Sequence, residues 1–183
     1  MQTINLITSN LGKVEEFKLV IGNRARINHI NRRYKELRSD NSEEIAKNSA
    51  KLLAEELRIP VVVEDSGLFI SALNGFPGTC SAYIHKRIGL QGILKLMEGI
   101  KDRTAFYKSA VAYCEPGKQS VGFLGEEKGF IAETIRGDYG FGHDPIFLPE
   151  NSEKTYGEMQ DVKGKKLFRK IAIEKLLSSN LFC

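Results

Sequence analysis

The sequence predicts an α/β fold: a mixed central sheet with flanking helices, two lobes around a cleft, and an antiparallel extension. Three observations carry that reading. Residues 2–58 alternate short apolar strands with amphipathic helices, the pattern of a sheet covered by helices. Val61, Val62 and Val63, behind Pro60, are β-branched and apolar on consecutive residues, as in a strand buried on both faces. Beyond residue 103 the apolar period becomes two over 104–114 and 119–135. At 183 residues the chain suits a single domain, 1–183, with a lobe and a sizeable core.

In order along the chain, Thr3-Ile4-Asn5-Leu6-Ile7-Thr8 forms the first strand. Ser9 and Asn10 cap a helix over about 11–21 that buries Val14, Phe17, Leu19, Val20 and Ile21 and ends at Gly22. Arg26 to Asn31 reads as a second strand, followed by a polar loop from Arg32 to Asn41. Ser42, with Glu43 and Glu44, opens a helix to about Arg58, turning Ile45, Ala46, Ser49, Leu52, Leu53 and Leu57 inward. The valine strand is expected to stop at Glu64 and Asp65, with Ser66-Gly67 turning the chain. Asn74 to Gly78 is a tight loop, Thr79 caps a helix through about Ile88, and a shorter helix runs from Gln91 to Met97. Glu115-Pro116-Gly117-Lys118 joins the two long strands, and a second turn near Glu126–Gly129 is expected to make three antiparallel strands. A glycine-rich loop, Arg136 to Pro145, precedes a strand from Ile146 to Leu148. A loop from Thr155 then leads through Lys163, Lys165, Lys166, Arg169 and Lys170 into a last helix ending about Ser178.

Composition narrows the function. The chain is 42% hydrophobic and 27% charged, and its apolar runs are too short to span a bilayer. The start lacks the basic region and cleavage site of a secretory signal. Cys80, Cys114 and Cys183 include no CxxC, which argues for a reducing, cytoplasmic setting and against structural zinc. His29, His85 and His143 are too scattered for a metal cage. The net charge of +4 is uneven. Arg24, Arg26, Arg32, Arg33, Lys35 and Arg38 face only Glu36, a patch suited to nucleic acid, to a polyanionic small molecule, or simply to solvent.

Three stretches carry chemistry. Glu64 and Asp65 close a buried strand, where open α/β sheets bind ligands. They stay ionised only beside a cation, a base or solvent. Thr8, Ser9, Asn10 and Lys13 sit at a strand-to-helix turn, where free N–H groups and the helix dipole suit a phosphate. Ordinary capping with a surface lysine explains the same residues. The turn is not a Walker loop, because Val14 stands where a magnesium-binding hydroxyl would be. In loop 136–145, three glycines allow close backbone approach and Phe141 offers a flat face for stacking.

Five stretches together resemble the inosine/xanthosine triphosphate pyrophosphatase family. They are Thr8-Ser9-Asn10-x-x-Lys13-x-x-Glu16-Phe17, Glu64-Asp65-Ser66-Gly67-Leu68, Gly75-Phe76-Pro77-Gly78, Phe141-Gly142-x-Asp144-Pro145 and Thr155-Tyr156-x-Glu158-Met159. The resemblance implies Mg²⁺-dependent hydrolysis of non-standard purine nucleoside triphosphates (ITP, dITP, XTP) to monophosphate and pyrophosphate. It also implies a nucleotide-binding cleft and a homodimer, with no membrane and no stable nucleic-acid partner. On it, Thr8, Ser9, Asn10 and Lys13 hold the phosphates, Asp65 is general base and metal-associated acid, and Glu36 is a second metal ligand. Ser66 is a substrate contact; Phe141, Gly142, His143 and Asp144 form the base-holding loop, with Phe141 stacking on the purine. Lys163 matches the family lysine, and Arg169 the arginine of a Ser-His-Arg signature, placed to donate to a purine 6-oxo group. Glu64 and Glu16 are lesser acid candidates, and Glu16, one turn after Lys13, can orient that lysine.

The chain departs from the family pattern at several positions. Leu167-Phe168-Arg169 stands for Ser-His-Arg, Arg38 for a Gln, His143 for a Tyr or Trp, and Cys80 for a Tyr. Phe168 at a substrate-facing position bears on base selectivity. It leaves open a related pyrophosphatase with another base preference, beside a nucleic-acid-binding module using residues 24–38 and a catalytically inactive nucleotide sensor.

Overall fold

The strand β1 (Thr3–Ile7) and the helix α1 (Leu11–Ile21) begin the architecture, seen here in a computed structural model that describes residues 2–182. Asn10 caps α1 by accepting the Lys13 N–H at 3.3 Å, as the sequence predicts. β2 (Arg26–Ile30) follows, then α2 (Ser42–Leu57). α2 opens at Ser42 as expected and is capped by Asn41, whose Oδ1 accepts the N–H groups of Glu43 and Glu44, residues whose carboxylates suit the positive end of the helix. β3 (Val61–Ile70), β4 (Pro77–Gly78), α3 (Ser81–Leu96), β5 (Thr104–Cys114), β6 (Val121–Ile131), β7 (Phe147–Pro149), α4 (Val162–Lys165) and α5 (Leu167–Leu177) complete it. Among the described residues the strands form one seven-stranded sheet in the order β2-β1-β3-β5-β6-β7, with β4 beside β3. β1 is parallel to β2 and to β3, whereas the β3–β4 and β6–β7 pairs are antiparallel. The predicted mixed sheet with flanking helices is therefore present.

The described residues fall into two units. One holds the chain up to Asp65, Ser109–Gly125, and the residues from Leu167 on; the other holds Ser66–Lys108 and Glu126–Lys166. In the first unit a strand's two-residue period distributes the core. Ile4, Leu6, Val62, Val111 and Tyr113 pack with Val14 and Phe17 of α1 and Ala172, Ile173 and Leu176 of α5. Their neighbours Ile7, Val61, Val63, Ala110 and Ala112 face the other way, packing with Ala46, Ala50 and Leu53 of α2. The second unit has an aromatic core of Tyr107, Phe147 and Tyr156, with Tyr107 and Phe147 ring centroids 4.4 Å apart. Tyr156 donates its buried hydroxyl to Glu127 Oε1 at 2.5 Å.

Several boundaries differ from expectation, each for a packing reason. β3 does not stop at Glu64-Asp65, and Ser66-Gly67 does not turn: the strand continues to Ile70. Gly67 is there for close approach, since a β-carbon on it would lie 2.1 Å from Gly78 O of the paired β4. Nor is there a turn at Glu126–Gly129, which lies inside β6. Gly129 pairs with Pro149, and a β-carbon would lie 2.4 Å from Leu148 O, so the third strand of the extension is β7. β7 itself starts one residue late, after a single 3-10 turn over Asp144–Ile146. The two helices expected over 79–97 are the two arms of α3, which begins at Ser81 and is interrupted at Gly89 (φ +62°, ψ −168°). No described helix is long and apolar enough to cross a membrane. Cys80 is exposed and Cys114 buried, both as free thiols, while Cys183 lies outside the described residues.

Candidate active site

The uninterrupted strand β3 puts its two carboxylates on opposite sides of the sheet. Glu64 continues the Val62 face, under α1 and α5; Asp65 continues the Val61 and Val63 face, by α2. Glu64 is buried among donors. Its Oε1 accepts from Ser109 Oγ at 2.6 Å and from Arg169 Nε at 3.0 Å. Lys13 Nζ lies 2.7 Å from its Oε2, outside regular hydrogen-bond angles, and donates to its backbone carbonyl at 3.2 Å. Burial alone would raise the Glu64 pKa, but the Arg169 and Lys13 charges overcome it and bring it down to about 2.

Asp65 has the opposite balance. Burial, with Glu64 and Glu36 nearby, raises it to about 6 against the pull of Lys13 and the Ser42 hydroxyl. Ser42 Oγ and Asp65 Oδ2 are both buried, and among the described residues neither makes a hydrogen bond of regular geometry. Burial, then Glu36, Glu64 and Asp65 in turn, push the Tyr34 hydroxyl well above its usual range, so this tyrosine belongs to the same acidic neighbourhood. Glu36 itself is exposed on the loop before α2.

At the turn into α1, Thr8 is buried and its Oγ1 accepts the Asn10 N–H at 3.1 Å; Ser9 is exposed. The Asn10 and Lys13 N–H groups are thus taken by the caps, which leaves the exposed Ser9 hydroxyl and the Leu11 and Gly12 N–H groups at the helix start, with Lys13 one turn on and committed to Glu64. Arg169, on α5, is fully buried and pairs with Glu16 and with Glu64, which hold its guanidinium firmly charged. Phe168 is buried at 2% exposure. The structure therefore brings together Thr8, Asn10, Lys13, Glu16, Glu36, Glu64, Asp65 and Arg169 in the first unit.

The second unit carries Ser66, the base-loop candidates and Lys163. Ser66 is half-buried and Lys163 exposed. Phe141 and Gly142 are half-buried; His143 and Asp144 are buried. Asp144 Oδ2 accepts the Phe141 N–H at 2.7 Å and pairs with Lys166 Nζ at 2.7 Å. Lys166 Nζ also lies 3.8 Å from the Phe141 ring centroid. The His143 ring meets His85 edge-on at 5.0 Å, and burial, aided by His85, lowers the His143 pKa to about 4.

Sequence reasoning did not single out Tyr34, Ser109 or Lys166. Ser109 had a readable signal, a polar residue opening the apolar run Ala110-Val111-Ala112, in phase with Val111. Lys166 had none, lying in a run of three lysines within four residues.

A divalent cation fits the first unit in one respect. Asp65 offers a buried oxygen without a regular hydrogen bond, beside Glu36, while both oxygens of Glu64 are engaged. Among the described residues no group of three or more His, Cys, Asp or Glu side chains forms a cage. Mg²⁺ does not require one, because it commonly binds through one or two carboxylates and the substrate's phosphates.

The family model described as the Ham1 family matches residues 4–179. The chain belongs to the Ham1 family. A relative from Methanopyrus kandleri named dITP/XTP pyrophosphatase is 51% identical over 153 residues, covering 83% of this chain and 81% of the relative. Another of that name, from Methanosarcina mazei, is 43% identical over 180 residues, covering 97% and 96%. Among solved structures, a HAM1 protein from Coxiella burnetii superposes with a TM-score of 0.82 at 26% identity, covering 97% of this chain and 98% of that one. The Staphylococcus aureus Ham1 protein does so with a TM-score of 0.80 at 27% identity, covering 95% and 96%. Membership in the Ham1 family agrees with the motif resemblance, and two of the motif acids, Glu16 and Glu64, meet on Arg169.

Proposed function

We propose that this chain hydrolyses ITP, dITP and XTP to the monophosphate and pyrophosphate, with Mg²⁺ required, as a cytoplasmic homodimer. The observation that carries the reading is Asp65: a buried carboxylate with a pKa of about 6 and an oxygen left without a regular hydrogen bond, in a Ham1-family chain whose relatives are named dITP/XTP pyrophosphatase.

A carboxylate near neutrality is matched to taking a proton from water at physiological pH. Asp65 is the general base, and with Glu36 it would hold Mg²⁺. That ion, when bound, neutralises phosphate charge and lowers the pKa of water. Thr8 and Asn10 shape the turn through their cap bonds, so that the Ser9 hydroxyl and the Leu11 and Gly12 N–H groups would meet the phosphate tail, and Lys13 adds positive charge there. Glu64 is not a metal ligand in this scheme. It stays ionised between Arg169 and Lys13, and by holding the lysine it fixes where that charge is presented. Arg169, engaged by Glu16 and Glu64, acts first as their counter-ion. In the second unit, Ser66, Lys163 and the loop from Phe141 to Asp144 are substrate contacts on the strength of the family resemblance.

A pyrophosphate-release assay on ITP, XTP, ATP, GTP and a modified pyrimidine triphosphate, with and without Mg²⁺, tests this. Faster turnover of ITP and XTP than of ATP, dependent on Mg²⁺, is expected; equal rates would remove the specificity claim. The burial of Phe168 favours keeping one second reading, a pyrophosphatase with another base preference, which the same panel identifies. A nucleic-acid module on residues 24–38 is less supported, because Arg24 pairs with Glu174 and Arg32 with Glu56.

A further inference from the structure

Lys166 is an ammonium with almost no access to water. Its side chain and that of its partner Asp144 are 2% and 1% exposed, with Nζ to Oδ2 at 2.7 Å. A buried pair of this kind is weak support for stability, since apolar residues of similar volume often serve as well; such pairs are better suited to fixing one geometry. The geometry fixed here is that of the base loop. The Asp144 carboxylate takes the Phe141 N–H on Oδ2 and the Tyr107 hydroxyl, at 3.3 Å, on Oδ1. The backbone at Gly140 (φ +80°) wraps so closely that a β-carbon there would lie 2.1 Å from Asp144 Oδ2. The same ammonium stands over the Phe141 ring at 3.8 Å. One cation thus fixes the loop through Asp144 and backs the aromatic face on which a base would stack.

The segment that supplies this cation is the one that departs from the family signature. Phe168 within that signature is buried, and Lys166, just before it, is the residue whose buried ammonium meets the loop. Resting on the function proposed above, we propose that Lys166 is the positioning residue that sets base selectivity, holding residues 140–144 in one shape and favouring an oxo-purine over an amino-purine. A cation behind one ring face draws electron density from the other, which suits a base rich in carbonyl oxygens. Freed from Lys166, the loop loses its cationic anchor and the ring its polarisation together.

The test is steady-state kinetics on ITP, XTP and ATP for the full chain and for Lys166→Met, which keeps the side-chain length. Unfolding is followed in parallel. The KM for ITP is expected to rise about tenfold with kcat changed less than about threefold, and the ITP-to-ATP ratio of kcat/KM to fall about tenfold. Should Lys166→Met not fold with the Asp144 charge left without its ammonium, Lys166→Met with Asp144→Asn removes both buried charges, and the same loss of selectivity is expected. A folded variant with the parental KM and ratio, or one that loses kcat alone, overturns the inference. If the parent chain itself does not prefer ITP, the proposed function has failed, a result separate from any effect of the variants.

Discussion

Glu64 and Asp65 are consecutive residues of one strand held in opposite ionisation regimes, the first brought down to about 2 and the second raised to about 6. The division follows from the strand's period. One side chain is delivered to Arg169, Lys13 and Ser109, and the next to the other side of the sheet, where burial outweighs the pull of Lys13 and of the Ser42 hydroxyl. Adjacent carboxylates with separated pKa values are a pattern for dividing structural and proton-transfer work.

Asp65→Asn separates stability from turnover. The folded-state pKa of about 6 exceeds the ordinary 3.8, so between these values the folded chain holds a proton that the unfolded chain has lost. Stability therefore falls as pH rises through that window. Asp65→Asn should raise the melting temperature at pH 8 by an amount equivalent to about 3 kcal/mol, with no gain at pH 3, while reducing kcat by orders of magnitude. Paired melts and pyrophosphate assays check both halves; a variant with near-normal turnover takes Asp65 out of the mechanism.

Arg169→Met leaves Glu16 and Glu64 buried without their shared counter-ion. Destabilisation of about 3–5 kcal/mol is expected, read by urea unfolding at pH 7.5. The sign for Glu64 is opposite to that for Asp65: its stabilising contribution is complete above the ordinary 4.5 and declines as pH falls toward about 2. The gap between parent and variant should accordingly be smaller at pH 3 than at pH 7.5.

His143 is buried beside His85, and its folded-state pKa of about 4 lies below the ordinary 6.5. Between those values the unfolded chain binds a proton that the folded chain does not, so this residue lowers stability as pH falls from about 6.5 to about 4. His143→Phe should remove about 3 kcal/mol of that acid sensitivity. Comparing melts of parent and variant at pH 7 and pH 4.5 isolates it from Asp65, which titrates in both. Identical pH profiles would show that His143 is not charged on unfolding in this range.

Gly67→Ala should unfold or strongly destabilise the second unit, because the added carbon meets Gly78 O at 2.1 Å and Gly78 C at 2.8 Å on β4. Loss of at least about 3 kcal/mol is expected. Limited proteolysis that cut the variant no faster than the parent would mean that β4 has simply moved aside.

The period-two and helical patterns made most of the sheet and its helices readable from residues alone, because Val61 to Val63 and most of the α1 and α2 stripes answer to local burial, although Leu19 and Leu52, expected inward, are exposed. What misled was glycine. Gly67 and Gly129 look like turn residues in sequence, yet both are strand residues selected for a backbone passing within van der Waals distance, a fact of tertiary approach. The cap of α1 was legible because Asn10 and Lys13 act within one helical turn of each other. The Arg169 pairings were not: Glu16 and Glu64 lie 153 and 105 residues away along the chain. Tyr34 escaped notice in a basic loop for the same reason, its relation to Asp65 being spatial.

The interior placement of Phe168 sets what any polar side chain would meet at that position. A histidine there would bury an imidazole where a benzyl ring now sits, and each ring nitrogen left without a partner would carry its full desolvation cost. Swapping the aromatic ring for an imidazole is thus a change to the protein's interior before it is a change to any surface a ligand could touch.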